Sequence, residues 1–286
     1  MSDKKKLLVQ LDPDPQPSLF DRIVAYDAGA DEVLSHGGVR PEHIRELVHG
    51  CIFTRGPKDL VHTAIFVGGK DAGAGEILMA AAERLLLPKF GLTVSMMLDA
   101  NGANTTAAAC VRCVSRHLKL RDCSVGVLGA GPVGARVALM LAIQGAKVLL
   151  VDVQASRAES VRQRIRDRLT DAAVHTATEA SAIELAELQA LVAAGPTGKQ
   201  VLSQNEWLSA SGLCVLIDLN AVPPLGLEGV QVTDDGQKRE SRTCYGALGV
   251  GKVKMQVHKA AIAQLFTRND LLLDAETILP LALALP

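Results

Sequence analysis

Short apolar runs alternate along this chain with amphipathic stretches at helical spacing, and that alternation predicts a parallel α/β architecture. In the first part of the chain, runs at 6–11, 63–67 and 93–98 read as strands, and Cys51-Ile-Phe53 reads as another. Residues 20–26, 40–49, 76–87 and 107–118 read as helices. Ser18 stands where the first helix needs an N-cap, with Asp21 three residues on in the capping-box position, and Pro41 opens the second. From residue 124 the pattern restarts, with strands over 124–128, 147–151, 189–193 and 213–219. Helices follow over 135–144, 157–169, 179–186 and 252–266, then an apolar tail at 275–285 interrupted by Pro280. Two α/β domains are therefore expected.

The restart carries a specific signature. Strand 124–128 runs into Gly129-Ala-Gly-Pro-Val-Gly134, a helix, a second strand and then Asp152, about 20 residues beyond Gly131. Gly129 permits a sharp turn, Gly131 lets backbone approach a pyrophosphate, and Gly134 lets the helix pack on the strand. Pro132 and Val133 open the helix whose N–H groups and dipole favour an anion. Asp152 suits the two hydroxyls of an adenosine ribose and repels a 2′-phosphate, favouring NAD, while Arg157 keeps NADP possible. Ala194 and Gly195, after the next parallel strand, belong near the nicotinamide end. The prolines in Asn220-Ala-Val-Pro-Pro-Leu-Gly226 fix a rigid loop after the last strand. Gly195-Pro-Thr-Gly-Lys199 is half of a P-loop, but Ala193 and Gln200 break the motif. Residues 119–252 are thus a Rossmann-type dinucleotide-binding domain. Residues 1–118 with 253–286 form an N-terminal parallel-sheet domain, the C-terminal helix recrossing the cleft between them.

Three other stretches draw attention. Gly68 to Gly75 is glycine-rich but lacks the GxGxxG spacing, so a plain strand-to-helix connection is expected. The polar run 99–106 follows an apolar strand, where an open α/β sheet places ligand contacts, although Asn104 or Thr105 also serves as a helix N-cap. Residues 245–251 are small and flexible, suited to backbone lying against a flat ligand.

Thirty basic and 31 acidic residues leave a net charge of −1, which argues against nucleic acid or an anionic membrane as partner. No apolar stretch approaches the roughly 20 residues of a membrane span, and the start has no signal-peptide core, so a cytoplasmic protein is expected. The scattered cysteines, including Cys110-Val-Arg-Cys113, read as buried thiols, and no histidine pairing suggests a metal site.

The motifs Thr54-Arg-Gly56, 63–69, 97–109, 129–134, 220–226 and 246–251 together resemble, in order and over almost the whole chain, the NAD(P)-dependent methylenetetrahydromethanopterin and methylenetetrahydrofolate dehydrogenases of methylotrophic bacteria. The resemblance implies oxidation of a methylene bridge on a reduced pterin to the methenyl form, with hydride passing to nicotinamide. It also implies a homo-oligomer. Val151-Asp-Val-Gln154 departs from the Gly-Arg-Lys-like run of the NADP-using relatives. Carried over residue by residue, the resemblance makes Lys254 the group that hydrogen-bonds the pterin carbonyl, with Phe20, Asp21 and Asn101 as substrate contacts and Thr106 as a cofactor contact. A tetrahydrofolate carrier is the alternative within the enzyme class, its polyglutamate tail calling for Arg22, Arg40 or Arg55. A non-catalytic NAD-sensing module is the alternative outside it.

Overall fold

Thr63–Val67 and Ser95–Leu98 are buried at every position, as strands of a parallel sheet covered on both faces must be. The structure is a computed structural model and describes residues 4–179 and 185–285. It divides into two units, Met1–Thr105 with Met255–Pro286, and Thr106–Lys254; the sequence pattern puts the boundaries near 118 and 253.

The first unit begins with β1 (Leu7–Leu11), α1 (Leu19–Asp27), β2 (Glu32–His36), α2 (Ile44–Phe53), β3 (Thr63–Val67), α3 (Ala72–Glu83) and β4 (Ser95–Leu98). α4 (Ala103–Ser115) then leads into the second unit. That unit contains β5 (Ser124–Leu128), α5 (Pro132–Ile143), β6 (Lys147–Val151), α6 (Ala155–Arg168), β7 (Val174–Ala177), β8 (Ala190–Ala193), α7 (Gln204–Ser209) and β9 (Val215–Asp218). A hairpin, β10 (Asp235–Arg239) and β11 (Arg242–Tyr245), precedes the long α8 (Ala247–Gln264), after which β12 (Leu272–Leu273) and α9 (Ala275–Ala284) complete the first unit.

Among the described residues the first unit has a five-stranded sheet in the order β12-β4-β3-β1-β2, every pairing parallel. The order reverses between β1 and β3, so the loops at their carboxyl ends diverge and open a crevice there. The second unit's seven-stranded sheet runs β10-β11-β9-β8-β5-β6-β7. Its reversal lies between β5 and β8, which puts the glycine-rich turn beside Ala194 and Gly195. Leu, Val, Ile and Met fill the core of the first unit, and Trp207 is fully buried in that of the second, its indole N–H donating to the Glu228 carbonyl at 2.8 Å.

Several local expectations are overturned. Cys51-Ile-Phe53 is not a strand but the last turn of α2, because Ile44, Val48, Cys51 and Ile52 recur at helical spacing and bury together. α3 starts at Ala72, capped by the Asp71 carboxylate accepting from the Ala74 N–H at 2.8 Å. Its glycines are therefore helical, and Gly75 lets the helix approach Ala100, where an added Cβ would lie 2.4 Å from the Ala100 Cβ. The run 245–251 is no flexible ligand platform. It is the end of β11 and the first turn of α8, where a Cβ on Gly246 or Gly249 would sit 2.0 Å from the Gln231 or Asp234 carbonyl oxygen. β2 and β10 went unexpected because both are short, largely polar edge strands, and β11 because it is only four residues long. The helix expected over 179–186 falls on residues of which 180–184 lie outside those described.

Candidate active site

Four strands end at an aspartate, and the same device recurs at each. Asp12, Asp99, Asp152 and Asp218 are all buried, and a buried carboxylate must collect hydrogen bonds to offset its lost hydration. Each collects them from backbone N–H groups near the strand end. Asp12 accepts from the N–H groups of Asp14 (2.8 Å) and Ser18 (3.2 Å). Asp99 accepts from the N–H groups of Asn104 and Thr105, both at 3.0 Å, and from the Thr105 hydroxyl at 2.6 Å. Asp218 accepts from Asn220 (2.9 Å) and Leu227 (2.7 Å). Desolvation raises the pKa of Asp12 and Asp218 above the ordinary carboxylate value, the backbone donors opposing it.

Asp152 is the fourth member, and its partners include the glycine turn. Its Oδ2 accepts from the Ala130 N–H at 2.8 Å and its Oδ1 from the Gln154 N–H at 2.9 Å. Arg157 approaches with Nη1 at 3.4 Å from Oδ2, while its Nη2 donates to Gln154 Oε1 at 2.8 Å. Asp152 thus braces the turn it was expected to complement, and each oxygen keeps a lone pair beyond the backbone donor it holds.

The glycines occupy the geometry their types demand. Gly129 has φ +109, and a Cβ there would lie 2.5 Å from the Ala194 carbonyl oxygen. A Cβ on Gly134 would lie 1.9 Å from the Gly129 oxygen, whereas one on Gly131 would meet no atom within 4 Å. Pro132 is the first residue of α5, and Val133 follows it. The turn fits a dinucleotide pyrophosphate: an unobstructed backbone at Gly131 beside the positive end of a 12-residue helix. Asn220 Nδ2 donates to the Pro196 carbonyl at 3.2 Å, tying the loop after β9 to the one that holds Ala194 and Gly195.

In the first unit, the carboxyl ends of β1, β3 and β4 gather Asp12, Gly68, Gly69 and Asn101. Asn101 is exposed, in the left-handed region at φ 56, its N–H donating to the Gly69 carbonyl. A Cβ on Gly68 would lie 3.4 Å from Asp21 Oδ2 and 3.6 Å from Asp12 Oδ2, so both carboxylates face that turn. Ser18 caps α1, its hydroxyl accepting from the Asp21 N–H at 3.2 Å. Phe20, on the first turn of α1, is 48% exposed despite its size. Behind it lies His258 of α8, fully buried, its ring stacked on Phe66 at 5.6 Å and tilted to Phe20 at 6.3 Å, with Nδ1 3.9 Å from Asp99 Oδ2. Lys254 is half-buried on α8 one turn before His258, and Thr106 is half-buried on α4. Lys252 pairs with Asp235 and Lys259 with Asp27, each at 2.8 Å. Arg55 donates to the carbonyls of His62 and Lys5, so it serves the fold rather than a substrate tail.

Asp99 heads the polar run 99–106, but Asp12, Asp218 and His258 escaped the sequence reading. An acid closing an apolar run, as in Leu-Asp or Ile-Asp, was the available signal for the first two. For His258 it was a polar residue within the apolar stripe of α8.

Comparison with known proteins bears on both units. Residues 19–101 match the family described as methylene-tetrahydromethanopterin dehydrogenase, N-terminal, and residues 124–195 match 3-hydroxyacyl-CoA dehydrogenase, NAD binding domain. The bifunctional protein MdtA of Methylorubrum extorquens strain AM1 is 42% identical over 97% of this chain and 98% of its own length. The NAD(P)-dependent methylenetetrahydromethanopterin dehydrogenase of the same strain is 31% identical over 88% of this chain and 89% of its own. The chain belongs to the methylene-tetrahydromethanopterin dehydrogenase family. Among solved structures, the ligand-free 5-ketofructose reductase of Gluconobacter sp. strain CHM43 shares the family's fold, with a TM-score of 0.53 at 15% identity over 98% of each chain. Among the described residues no cluster of His, Cys, Asp or Glu is arranged to hold a metal ion, and no helix is long and apolar enough to cross a membrane.

Proposed function

We propose that this chain oxidises the methylene bridge of methylene-tetrahydromethanopterin to the methenyl form, with NAD as the favoured hydride acceptor and NADP as the alternative. The observation that carries the reading is the pairing, in one chain, of an N-terminal unit matching the pterin dehydrogenase family with a second unit whose glycine turn fits a pyrophosphate.

The nicotinamide ring supplies an acceptor carbon for the hydride. Gly129, Gly131, Pro132, Val133 and Gly134 bind the pyrophosphate, and Asp152 accepts from the adenosine ribose while still bracing Ala130. Arg157, already neutralised in part by Asp152, is the residue that would turn to a 2′-phosphate. Ala194, Gly195, Asn220 and Thr106 border the nicotinamide end. In the first unit Phe20 offers an exposed aromatic face to the pterin, and Asp21 and Asn101 offer polar groups at its edge. Lys254 donates to the pterin carbonyl and orients the ring.

No general base is required. Loss of hydride from a carbon between two nitrogens leaves a cation that those nitrogens stabilise, so the protein's work is orientation, which can contribute on the order of 7–11 kcal/mol. All six cysteines are free thiols, in keeping with a reducing cytoplasm, and a homo-oligomer completes the reading. The test is purified protein with methylene-tetrahydromethanopterin and, separately, methylene-tetrahydrofolate, each with NAD and with NADP, followed by absorbance of the reduced nicotinamide. Turnover of the methanopterin derivative with NAD is the expected result. Preference for folate would replace the carrier, and NAD binding without turnover of either would replace the enzyme with a sensor.

A further inference from the structure

Resting on the pterin reading above, we infer that His258 is the positioning residue of the pterin site, holding the face of Phe20 and the loop after β4 in register. Three segments of the first unit meet its ring. Phe66 of β3 stacks against it at 19° and 5.6 Å, and Phe20 of α1 lies tilted at 43° and 6.3 Å on another side. Asp99, at the head of the loop that presents Asn101, has its Oδ2 3.9 Å from Nδ1. His258 itself is carried by α8. Phe20 and the loop that presents Asn101 therefore meet at a single support, and that support is a polar ring on a helix face where Val257, Ala261 and Leu265 are buried apolar side chains.

The shape of the stack explains the choice of residue. Phe66 is fully buried and anchored in the sheet, whereas Phe20 is half exposed on a helix whose other large side chains, Leu19, Ile23 and Tyr26, also face outward. The ring of His258 stands between them, one aromatic contact from Phe20 and one from the sheet. Asp99 cannot drift, since the Asn104 and Thr105 N–H groups and the Thr105 hydroxyl all bind it, so the carboxylate beside the imidazole edge has a fixed place. His258 is sealed from solvent and acts through Phe20 and Asp99.

The experiment is a double-mutant cycle on the full chain. His258→Asn keeps a polar group near Asp99 and removes the ring. It is expected to raise KM for methylene-tetrahydromethanopterin about tenfold while leaving KM for NAD within about twofold. In combination with Phe20→Ala it should add almost nothing to the loss from Phe20→Ala alone, because both act through one contact. His258→Phe restores the stack and should recover most of the loss, which also decides the matter should His258→Asn fail to fold. Additive losses, an equal rise in KM for NAD, or no recovery in His258→Phe would overturn the inference. No turnover by the wild-type chain would overturn the proposed function and this inference together, whereas wild-type turnover with unaltered His258 variants would overturn the inference alone.

Discussion

Two glycines of the turn at 129–134 should fail in opposite ways, and the contrast tests the dinucleotide site directly. In Gly134→Ala the new Cβ starts 1.9 Å from the Gly129 carbonyl oxygen and must move beyond 3.0 Å. The obstacle is backbone, so the first turn of α5 has to retreat by about 1 Å, a displacement that elsewhere costs on the order of 100-fold when it misplaces bound reactants. That corresponds to about 2.7 kcal/mol. Overpacking of this kind also costs about 1–3 kcal/mol of stability, enough to lower Tm by several degrees in a chain of this size. Gly131→Ala meets no atom within 4 Å, and Gly131 sits at φ −70, which alanine adopts freely. Its melting temperature should match the wild type, yet its methyl projects where backbone has to approach the pyrophosphate, and NAD should bind at least about tenfold more weakly. Calorimetric titration with NAD, run beside thermal melts, separates the two. A Gly131→Ala chain that binds NAD like the wild type would show that the pyrophosphate does not lie on this turn, and an unperturbed Gly134→Ala would refute the packing argument.

Lys254→Ala should lower turnover of the pterin by about 100-fold, with NAD affinity retained, since a hydrogen bond from a charged donor is removed; unchanged kinetics would dismiss the role. Asp152→Asn removes the charge that repels a 2′-phosphate and releases Arg157, so the ratio of NADP to NAD efficiency should rise about tenfold or more, read from kcat/KM with each cofactor. Among the thiols, burial pushes that of Cys51 from an ordinary 9.0 up to about 12. A group raised in the folded state stabilises fully below its unfolded pKa and loses that contribution as pH climbs through the folded value. Stability should therefore fall between pH 9 and about 12, and Cys51→Ala should flatten part of that fall in melts across the range. At pH 8 only exposed Cys214 should alkylate readily in the native chain.

Local chemistry made the second unit legible. A strand, a GxGxxG turn with proline at the helix start, a strand and an acid are short-range features, and Gly129 and Gly134 answer contacts within a few residues or with the adjoining loop. The alternation of apolar runs determined a doubly wound α/β chain for the same reason, since strands buried on both faces must be apolar along their length. What the pattern left ambiguous was short and apolar: Cys51-Ile-Phe53 suits a strand as well as the end of α2, and only packing with Ile44 and Val48 chose the helix. The glycines at 246 and 249 looked like flexibility, but tertiary contact with the Gln231 and Asp234 carbonyls made them sites of close backbone approach. Likewise Asp12 and Asp218 have no marker beyond an acid after an apolar run, because their partners lie in loops whose path the fold sets. His258 is the clearest case: Phe66 and Phe20, far away in sequence, meet its ring only once β3, α1 and α8 have packed. Residue types and spacing thus determined the dinucleotide turn and the class of fold. Which side chains stand behind the pterin contacts was decided by long-range packing, which no local pattern encodes.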